Sequence, residues 1–400
     1  MISITEAGKI ILENIPVPVS QTLATELTSG MVLADGVKAP GPSPDFTNSA
    51  MDGFAVIWDD VKDASENNPV NLKVVGESQA GSSFGEPVKA REAVRINTGA
   101  MIPQGADTVV PIEHCDDNSS TIEIFKVEKR HQNLRFKGEE FEKETRILER
   151  GIRLDARQIA LLTSLGIATV SVYKKPLVSI IVTGAELVDF RENSKGPQLR
   201  DANSPMLSAL AVESGSKIAG MQRVEDDLNA TIQSIDKAAK ESDLIIVSGG
   251  VSVGPHDHVK EAAKACGFNK LFWKVNQKPG KPFFFAKKNN KLLFGLPGNP
   301  VSAYMGFYHY IRPVIARLCG LSGRREQTRT SLGEDYIVKG ARQQFLRVAI
   351  TDGHAYVLRR QGSHMLTSIS EADGYIITEG NTILKKAAEM DVFLFPQRRS

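Results

Sequence analysis

Cysteine is scarce in this 400-residue chain: Cys115, Cys266 and Cys319 stand far apart, with no Cys-x-x-Cys pair. An odd, scattered set excludes a disulfide framework and a zinc finger. It fits a reducing compartment, so a cytoplasmic location is expected. No run approaches the roughly 18 apolar residues that cross a bilayer. The first residues show no basic segment followed by an apolar one, so neither a membrane partner nor a secretion signal is expected. Charge of one sign is also missing. Lys and Arg number 49 and Asp and Glu 47, a formal +2. That removes the global reason for binding nucleic acid or an anionic membrane, while leaving a single cleft free to be cationic. Internal repeats and low-complexity tracts are absent. What is there is ordinary globular material, 41% apolar and 24% charged. The length suits two to three domains at roughly 150 residues each.

Three compositional regimes follow one another. Within residues 1–175, short β-rich runs (71–76, 93–97, 108–112 and 120–127) stand between Gly, Pro and Asn and predict a small antiparallel β-domain. Helical spacing over 155–166, with Gly166 as C-cap, and over 5–14 predicts two helical pieces that flank it. From Leu177 strands (177–182, 217–224, 243–247, 291–295) alternate with helices (204–213, 228–240, 258–266), and one long helix runs from Asn299 through Arg317. Ser204-Pro205 and Asn299-Pro300 read as an N-cap followed by proline at the first helical position. The apolar run over 243–247 suits a strand buried on both faces, so the alternation predicts an open α/β sheet. Short strands over 345–350, 355–358, 374–378 and 392–395 predict a C-terminal β-domain.

Four segments at predicted strand ends carry chemistry. Ser248-Gly-Gly-Val-Ser252 follows a buried strand. Its glycines admit a ligand to the backbone, and successive N–H groups with the next helix N-terminus make an anion site. A tight strand-to-helix turn is the plain alternative. GxGxxG and GK[ST] are both absent, which disfavours a dinucleotide oxidoreductase and a P-loop NTPase. His256-Asp257-His258 lacks the i, i+4 spacing that puts two histidines on one helix face. A carboxylate beside a phosphate loop instead suits Mg²⁺. Thr183-Gly-Ala-Glu186 ends a second strand. Lys278-Pro-Gly-Lys281 sets two ammonium groups on a rigid turn fit for an oxyanion, although isolated surface lysines are commonly just solvated. Leu296-Pro-Gly-Asn-Pro300 opens a helix at the same sheet edge. Together these loops predict a polar cleft for an anionic ligand. Nearer the N-terminus, residues 44–56, 95–110 and 135–140 crowd polar and turn residues, and their carboxylates have no assigned partner in the sequence.

Taken in order, NSAMDGFA, NTGAMIPQGADTVV, TGAEL, SGGVSVG with its PHD, KPGKPF, GLPGNPVSA and QGSHMLTSISEADGYI resemble the molybdopterin molybdenumtransferase family, MoeA and the gephyrin E domain. No one motif is decisive; the ordered set is specific and covers nearly the whole chain. The resemblance implies a multidomain α/β plus β fold. Its parts would be a discontinuous N-terminal linker domain (1–22 and 142–174), an inserted β-rich domain (23–141), a central α/β molybdopterin-binding domain (175–321) and a β-barrel-like C-terminal domain (322–400). It implies a homodimer with sites shared between subunits, and other molybdenum cofactor biosynthesis proteins as partners. The implied reaction inserts molybdate into adenylylated molybdopterin with release of AMP, assisted by Mg²⁺.

Carried over position by position, the resemblance implies catalytic roles for Asp52, Thr98, Glu186, Asp257, Lys278 and Lys281. It places Asp52, Glu140, Glu186 and Asp257 at metal. It assigns cofactor binding to Ser248, Gly249, Gly250, Ser252, Asp226 or Asp227, Pro297, Pro300, Arg347 and Ser368. Glu140 stands where the family commonly has the shorter Asp, which implies a longer or water-mediated metal contact. Three alternatives stand beside this reading. One is a non-catalytic molybdopterin-binding scaffold of the same fold, and another is a tungstate-using variant. The third is the related adenylyltransferase, against which the chain's length and its NSAMDGFA segment weigh. The cysteines are expected to be buried small hydrophobes.

Overall fold

A computed structural model describes residues 1–193, 195–251 and 258–396. The chain forms two compact units. One comprises Met1–Asp35, Gly151–Ile159 and Thr169–Ser400, the other Gly36–Arg150 and Ala160–Ala168.

The second unit is built on a six-stranded sheet in the order Thr108–Pro111, Gly53–Val56, Glu92–Ile96, Val70–Ser78, Thr121–Ile124 and Cys115–Asp117. Gly53–Val56 is buried along its length and pairs antiparallel on both sides. Phe54 and Val56 enter a core with Leu72, Val110 and Ile122. Gly53 has to be glycine, because a Cβ there would stand 2.0 Å from the Val110 carbonyl oxygen. The expectation of a purely antiparallel domain needs correction: Val70–Ser78 and Glu92–Ile96 run parallel. A parallel pair needs a crossover, and residues 79–91 provide it.

The first unit holds a second six-stranded sheet in the order Lys217–Val224, Leu177–Thr183, Leu244–Ser248, Lys291–Leu296, Phe284–Lys288 and Asn269–Trp273. The first four strands are parallel, and the last two join antiparallel. Side-chain alternation splits the sheet's apolar residues between two cores. Ile180, Val182 and Ile246 face one core with Leu207 and with Ile4, Ala7 and Ile11 of the helix Ile4–Glu13. Ile181, Ile245 and Val247 face the other, with Ile235, Ala238, Val259 and Ala262. The strands are apolar on both faces because helices cover both, as expected for a parallel sheet. Among the described residues, no helix is long and apolar enough to cross a membrane.

Two helix boundaries depart from the sequence-based expectation. The helix Asn203–Glu213 is not capped by Ser204. Asp201 takes that role: its carboxylate accepts from Asn203 N at 2.9 Å and Ser204 N at 3.0 Å, and from the Ser204 hydroxyl. The long helix after Asn299 is not uniform either. It runs as α over Pro300–Gly306, as π over Phe307–Ile311, and as α again over Arg312–Leu318. Pro313 is the cause, because it has no N–H to donate to the His309 carbonyl four residues back. Arg325 Nε donates to that orphaned oxygen instead, at 3.0 Å.

The C-terminal region closes into a five-stranded barrel of Gln343–Thr351, His354–Val357, Gln327–Leu332, Glu389–Leu394 and Gly374–Thr378, with the first and last strands paired. The short strand Gln277–Lys278, which leaves the α/β region, pairs with Gln343–Gln344 of the barrel. Phe345 and Tyr375 of the barrel, with Phe395 just beyond its last strand, enter the same core as Phe285 and Phe294 of the sheet and the adjoining Phe283.

The three cysteines are free and buried. Burial pushes the Cys115 thiol up to about 12 and Cys319 to about 11, so neither offers a thiolate near neutral pH.

Candidate functional site

The carboxyl ends of the parallel strands Leu177–Thr183, Leu244–Ser248 and Lys291–Leu296 meet at one edge of the sheet. Open α/β sheets bind their ligands there. Two cavities adjoin at this edge and share Pro282, Pro297 and Asn299.

The smaller, of about 330 Å³, is lined by Thr183, Gly184, Glu186, Asp226, Gly249 and Gly250 among others. Gly249 at φ +96° folds the loop back under Leu296, whose carbonyl accepts from Gly249 N at 3.0 Å. A Cβ on Gly249 would stand 2.4 Å from the Thr183 carbonyl oxygen. Ser248 is fully buried, and its hydroxyl is used by the protein. It accepts from Asn203 Nδ2 at 2.9 Å and donates to the Pro297 carbonyl at 3.3 Å. Ser248 is therefore a strut, and the Gly250 N–H is one of the lining backbone donors with no acceptor among the described residues. Asn203, which the sequence did not single out, ties this strut to the Gly298 carbonyl at 2.7 Å.

Glu186 is exposed and unpaired among the described residues, and Asp226 accepts from Ala185 N at 3.2 Å. Asp227 does not line the cavity. It caps the helix Leu228–Glu241, accepting from Ala230 N at 2.8 Å. This geometry separates the two neighbours. Asp227→Ala is expected to cost about 1 kcal/mol of stability, a typical lost N-cap, with turnover kept. Asp226→Asn is expected to lower turnover with an unchanged melting temperature. Thermal melts beside activity assays check both.

The residues present fit a hard divalent cation. Mg²⁺ uses one or two carboxylates and completes its shell with phosphate oxygens and water. Glu186 and Asp226 would supply the carboxylates, and the buried Thr183 hydroxyl, which lines the same cavity, has no partner of its own. Among the described residues, no group of three or more His, Cys, Asp or Glu gathers as a transition-metal site would require. Asp257 and Ser252 lie outside the described residues.

The larger cavity, of about 600 Å³, is lined by Lys278, Lys281, Arg342, Pro297, Ser302 and the segment 361–364. Neither lysine has an ion-pair partner among the described residues. Gln277, almost wholly buried, holds the turn between them. Its Nε2 donates to the Gly280 carbonyl at 2.9 Å, and its Oε1 accepts from Tyr310 at 2.6 Å. Arg342 is fixed by donating to the Gln277 carbonyl at 3.0 Å. Gln277 and Arg342 escaped the sequence reading; a polar residue turned inward between two strands leaves no local signal.

Pro300 is the first residue of its helix and lines neither cavity. Arg347 and Ser368 are enclosed in the C-terminal region. Arg347 Nη2 donates to the Arg360 carbonyl at 3.1 Å, and burial lowers its guanidinium to about 10. Ser368 donates to the Met365 carbonyl at 2.6 Å. The barrel faces the cavity with Arg342 and residues 361–364 instead.

Asp52, Thr98 and Glu140 belong to the second unit. Asp52 Oδ1 accepts from both the backbone N–H of Thr98 at 2.6 Å and its hydroxyl at 2.9 Å. These two bonds hold the Asp52 carboxyl below the usual carboxylate range. Glu140 accepts from the Ser43 hydroxyl at 2.7 Å.

Comparison with known proteins agrees with this architecture. Residues 2–166 match the MoeA N-terminal region (domain I and II), residues 179–317 the probable molybdopterin binding domain, and residues 329–395 the MoeA C-terminal region (domain IV). A molybdopterin molybdenumtransferase of Staphylococcus epidermidis is 32% identical over 406 residues, covering 95% of this chain and 96% of the relative. One from Staphylococcus aureus is 36% identical over 331 residues, covering 82% and 79%. The crystal structure of the molybdopterin biosynthesis MoeA protein from Pyrococcus horikoshii superposes with a TM-score of 0.85 at 29% identity, covering 100% of both chains. The paired cavities at the sheet edge thus sit in a chain that belongs to the molybdopterin molybdenumtransferase family of molybdenum cofactor biosynthesis.

Proposed function

We propose that this chain inserts molybdate into adenylylated molybdopterin and releases AMP, giving molybdenum cofactor. The observation that carries the reading is the adjacency of two unlike cavities. One presents carboxylates, a glycine loop and an orphaned hydroxyl. The other presents Lys278, Lys281 and Arg342, and the two share Pro282, Pro297 and Asn299. The first suits a pyrophosphate together with a divalent cation that Glu186 and Asp226 would hold. The second suits a tetrahedral oxyanion, which the ammonium groups and the guanidinium hold by charge-assisted hydrogen bonds. When bound, Mg²⁺ neutralises charge on the pyrophosphate. Glu186 and Asp226 would hold it, and the Gly250 N–H donates beside it. Fixed donors placed where negative charge concentrates stabilise it without reorganising.

Purified protein incubated with adenylylated molybdopterin, Mg²⁺ and molybdate is expected to release AMP and form cofactor in equal amounts. Tight binding without AMP release would overturn the catalytic reading in favour of a scaffold. Equal turnover with tungstate would widen the oxyanion specificity.

The cytoplasm is the compartment that suits this reaction and the three free thiols. A homodimer with sites shared between subunits is the proposed assembly. Neither Asp52→Ala nor Glu186→Ala protein is expected to turn over alone. Refolded together, they are expected to regain about a quarter of wild-type activity per site, the yield of random pairing when one of two sites in a mixed dimer is intact. No recovery would sink the shared site.

A further inference from the structure

A third cavity, of about 290 Å³, lies where the helix Arg312–Leu318 ends and the chain turns towards the barrel. Arg153, Arg312, Arg324 and Arg325 line it, with Glu213 as the only carboxylate in the lining. We propose that this cavity binds a phosphate-class dianion, a phosphate monoester or free phosphate, at a site separate from the paired cavities of the sheet edge.

The arginines are arranged rather than merely gathered. Arg312 donates to the Tyr308 hydroxyl, its guanidinium lies 4.7 Å from the centre of the Tyr308 ring, and Tyr308 in turn donates to the Leu394 carbonyl at 2.9 Å. Arg325 is anchored through Nε on the His309 carbonyl, which leaves both of its terminal nitrogens without an acceptor among the described residues. None of the four has a carboxylate within ion-pair distance among the described residues. Gly323 closes the wall. Its φ is +66°, and a Cβ would stand 2.8 Å from the Pro313 carbonyl oxygen, so only glycine lets the chain pass this close.

Clustered guanidinium groups repel each other unless an anion joins them. Planar forks from separate parts of the chain that line one cavity favour an anion with several oxygens over a single carboxylate, which would satisfy one fork. The volume equals roughly ten waters, enough for a phosphate with a small hydroxylated group. The Ser322 hydroxyl accepts from Arg324 N at 3.3 Å and keeps its proton free to donate. A dianion bound here would tie the helix end to the segment that leads into the barrel.

The test separates this site from the sheet-edge cavities, which also attract anions. Full-length wild type, Lys278→Ala/Lys281→Ala and Arg153→Ala/Arg324→Ala would be titrated with inorganic phosphate, ribose 5-phosphate and AMP at matched ionic strength. Calorimetry and melting temperature are the readouts. Arg153 and Arg324 are exposed, so their replacement leaves the fold intact, which the melting temperature without ligand verifies. The lysine variant is expected to keep phosphate-dependent stabilisation. The arginine variant is expected to bind at least tenfold more weakly at one site. Preference for ribose 5-phosphate over phosphate would identify an ester, and equal binding would identify the free dianion. Loss of all phosphate binding in the lysine variant, or unchanged binding in the arginine variant, overturns the proposal.

Discussion

Gly249→Ala is expected to destabilise the first unit by on the order of 3 kcal/mol or more and to abolish turnover. Two costs add. The residue sits at φ +96°, where a Cβ brings about 1–2 kcal/mol of strain. The new Cβ would also stand 2.4 Å from the Thr183 carbonyl oxygen and 2.7 Å from its hydroxyl, distances that force the backbone to move. Relief by movement would break the Gly249 N to Leu296 O bond and displace Gly250, which lines the cavity. Stability and function therefore fall together. Gly353→Ala separates the two costs. Gly353 has φ +78° with open space around its Cβ position, so only the conformational cost of roughly 1 kcal/mol applies, far from the cavity. Thermal melts of both variants, at roughly 2–4 °C per kcal/mol for a unit of this size, should differ by more than 4 °C. A Gly249→Ala protein with wild-type melting and turnover would refute the close-packed loop.

The sheet and the glycine loop were legible because their signals are local. The runs over 177–182 and 243–247 are apolar at every position but Ser179 and Asp243, a pattern that a strand covered on both faces tolerates, and glycines mark where each run must turn. Four of the barrel's five strands were legible as short β-rich runs, and Gln327–Leu332, largely polar in sequence, was not. What escaped is non-local. Pro313 is visible in the sequence, yet its consequence, a π-segment and an orphaned His309 carbonyl, depends on Arg325 arriving from beyond the helix. Ser204-Pro205 has the form of a helix cap, but Asp201 offers a carboxylate that outcompetes a hydroxyl for two N–H groups. The parallel pair in the second unit depends on a crossover whose direction no periodicity encodes.

The candidate site shows the same division. Glu186, Lys278, Lys281 and the glycines were found because residue type and position at a strand end point to chemistry. Ser248 was read as a ligand contact because it belongs to the same run, and burial makes it a strut. Asp226 and Asp227 are indistinguishable in composition. Only the start of the next helix shows which one is used as a cap. Asn203 and Gln277 act by reaching across the fold, so their role exists only once the strands are in register.

Replacing Lys278 and Lys281 together by alanine is expected to raise the KM for molybdate by about 100-fold or more, with little change in melting temperature. A charge-assisted hydrogen bond contributes about 1.5–3 kcal/mol, so two lost contacts span roughly 100-fold to 10,000-fold in affinity. Both ammonium groups are exposed, and solvent screening places the loss at the lower end of that span. Neither makes an ion pair among the described residues, and the turn that carries them is held by Gln277 rather than by the lysines themselves. Stability should therefore change by less than about 0.5 kcal/mol, as for ordinary surface substitutions. Gln277→Ala supplies the contrast. It removes the clamp from a buried position and should lower the melting temperature and weaken molybdate binding at once. Lys→Arg at both positions keeps the charge but not the compact shape of an ammonium group, so recovery should be partial. Initial rates of AMP release against molybdate concentration distinguish these variants. An unchanged KM in the double lysine variant would remove the oxyanion from this cavity.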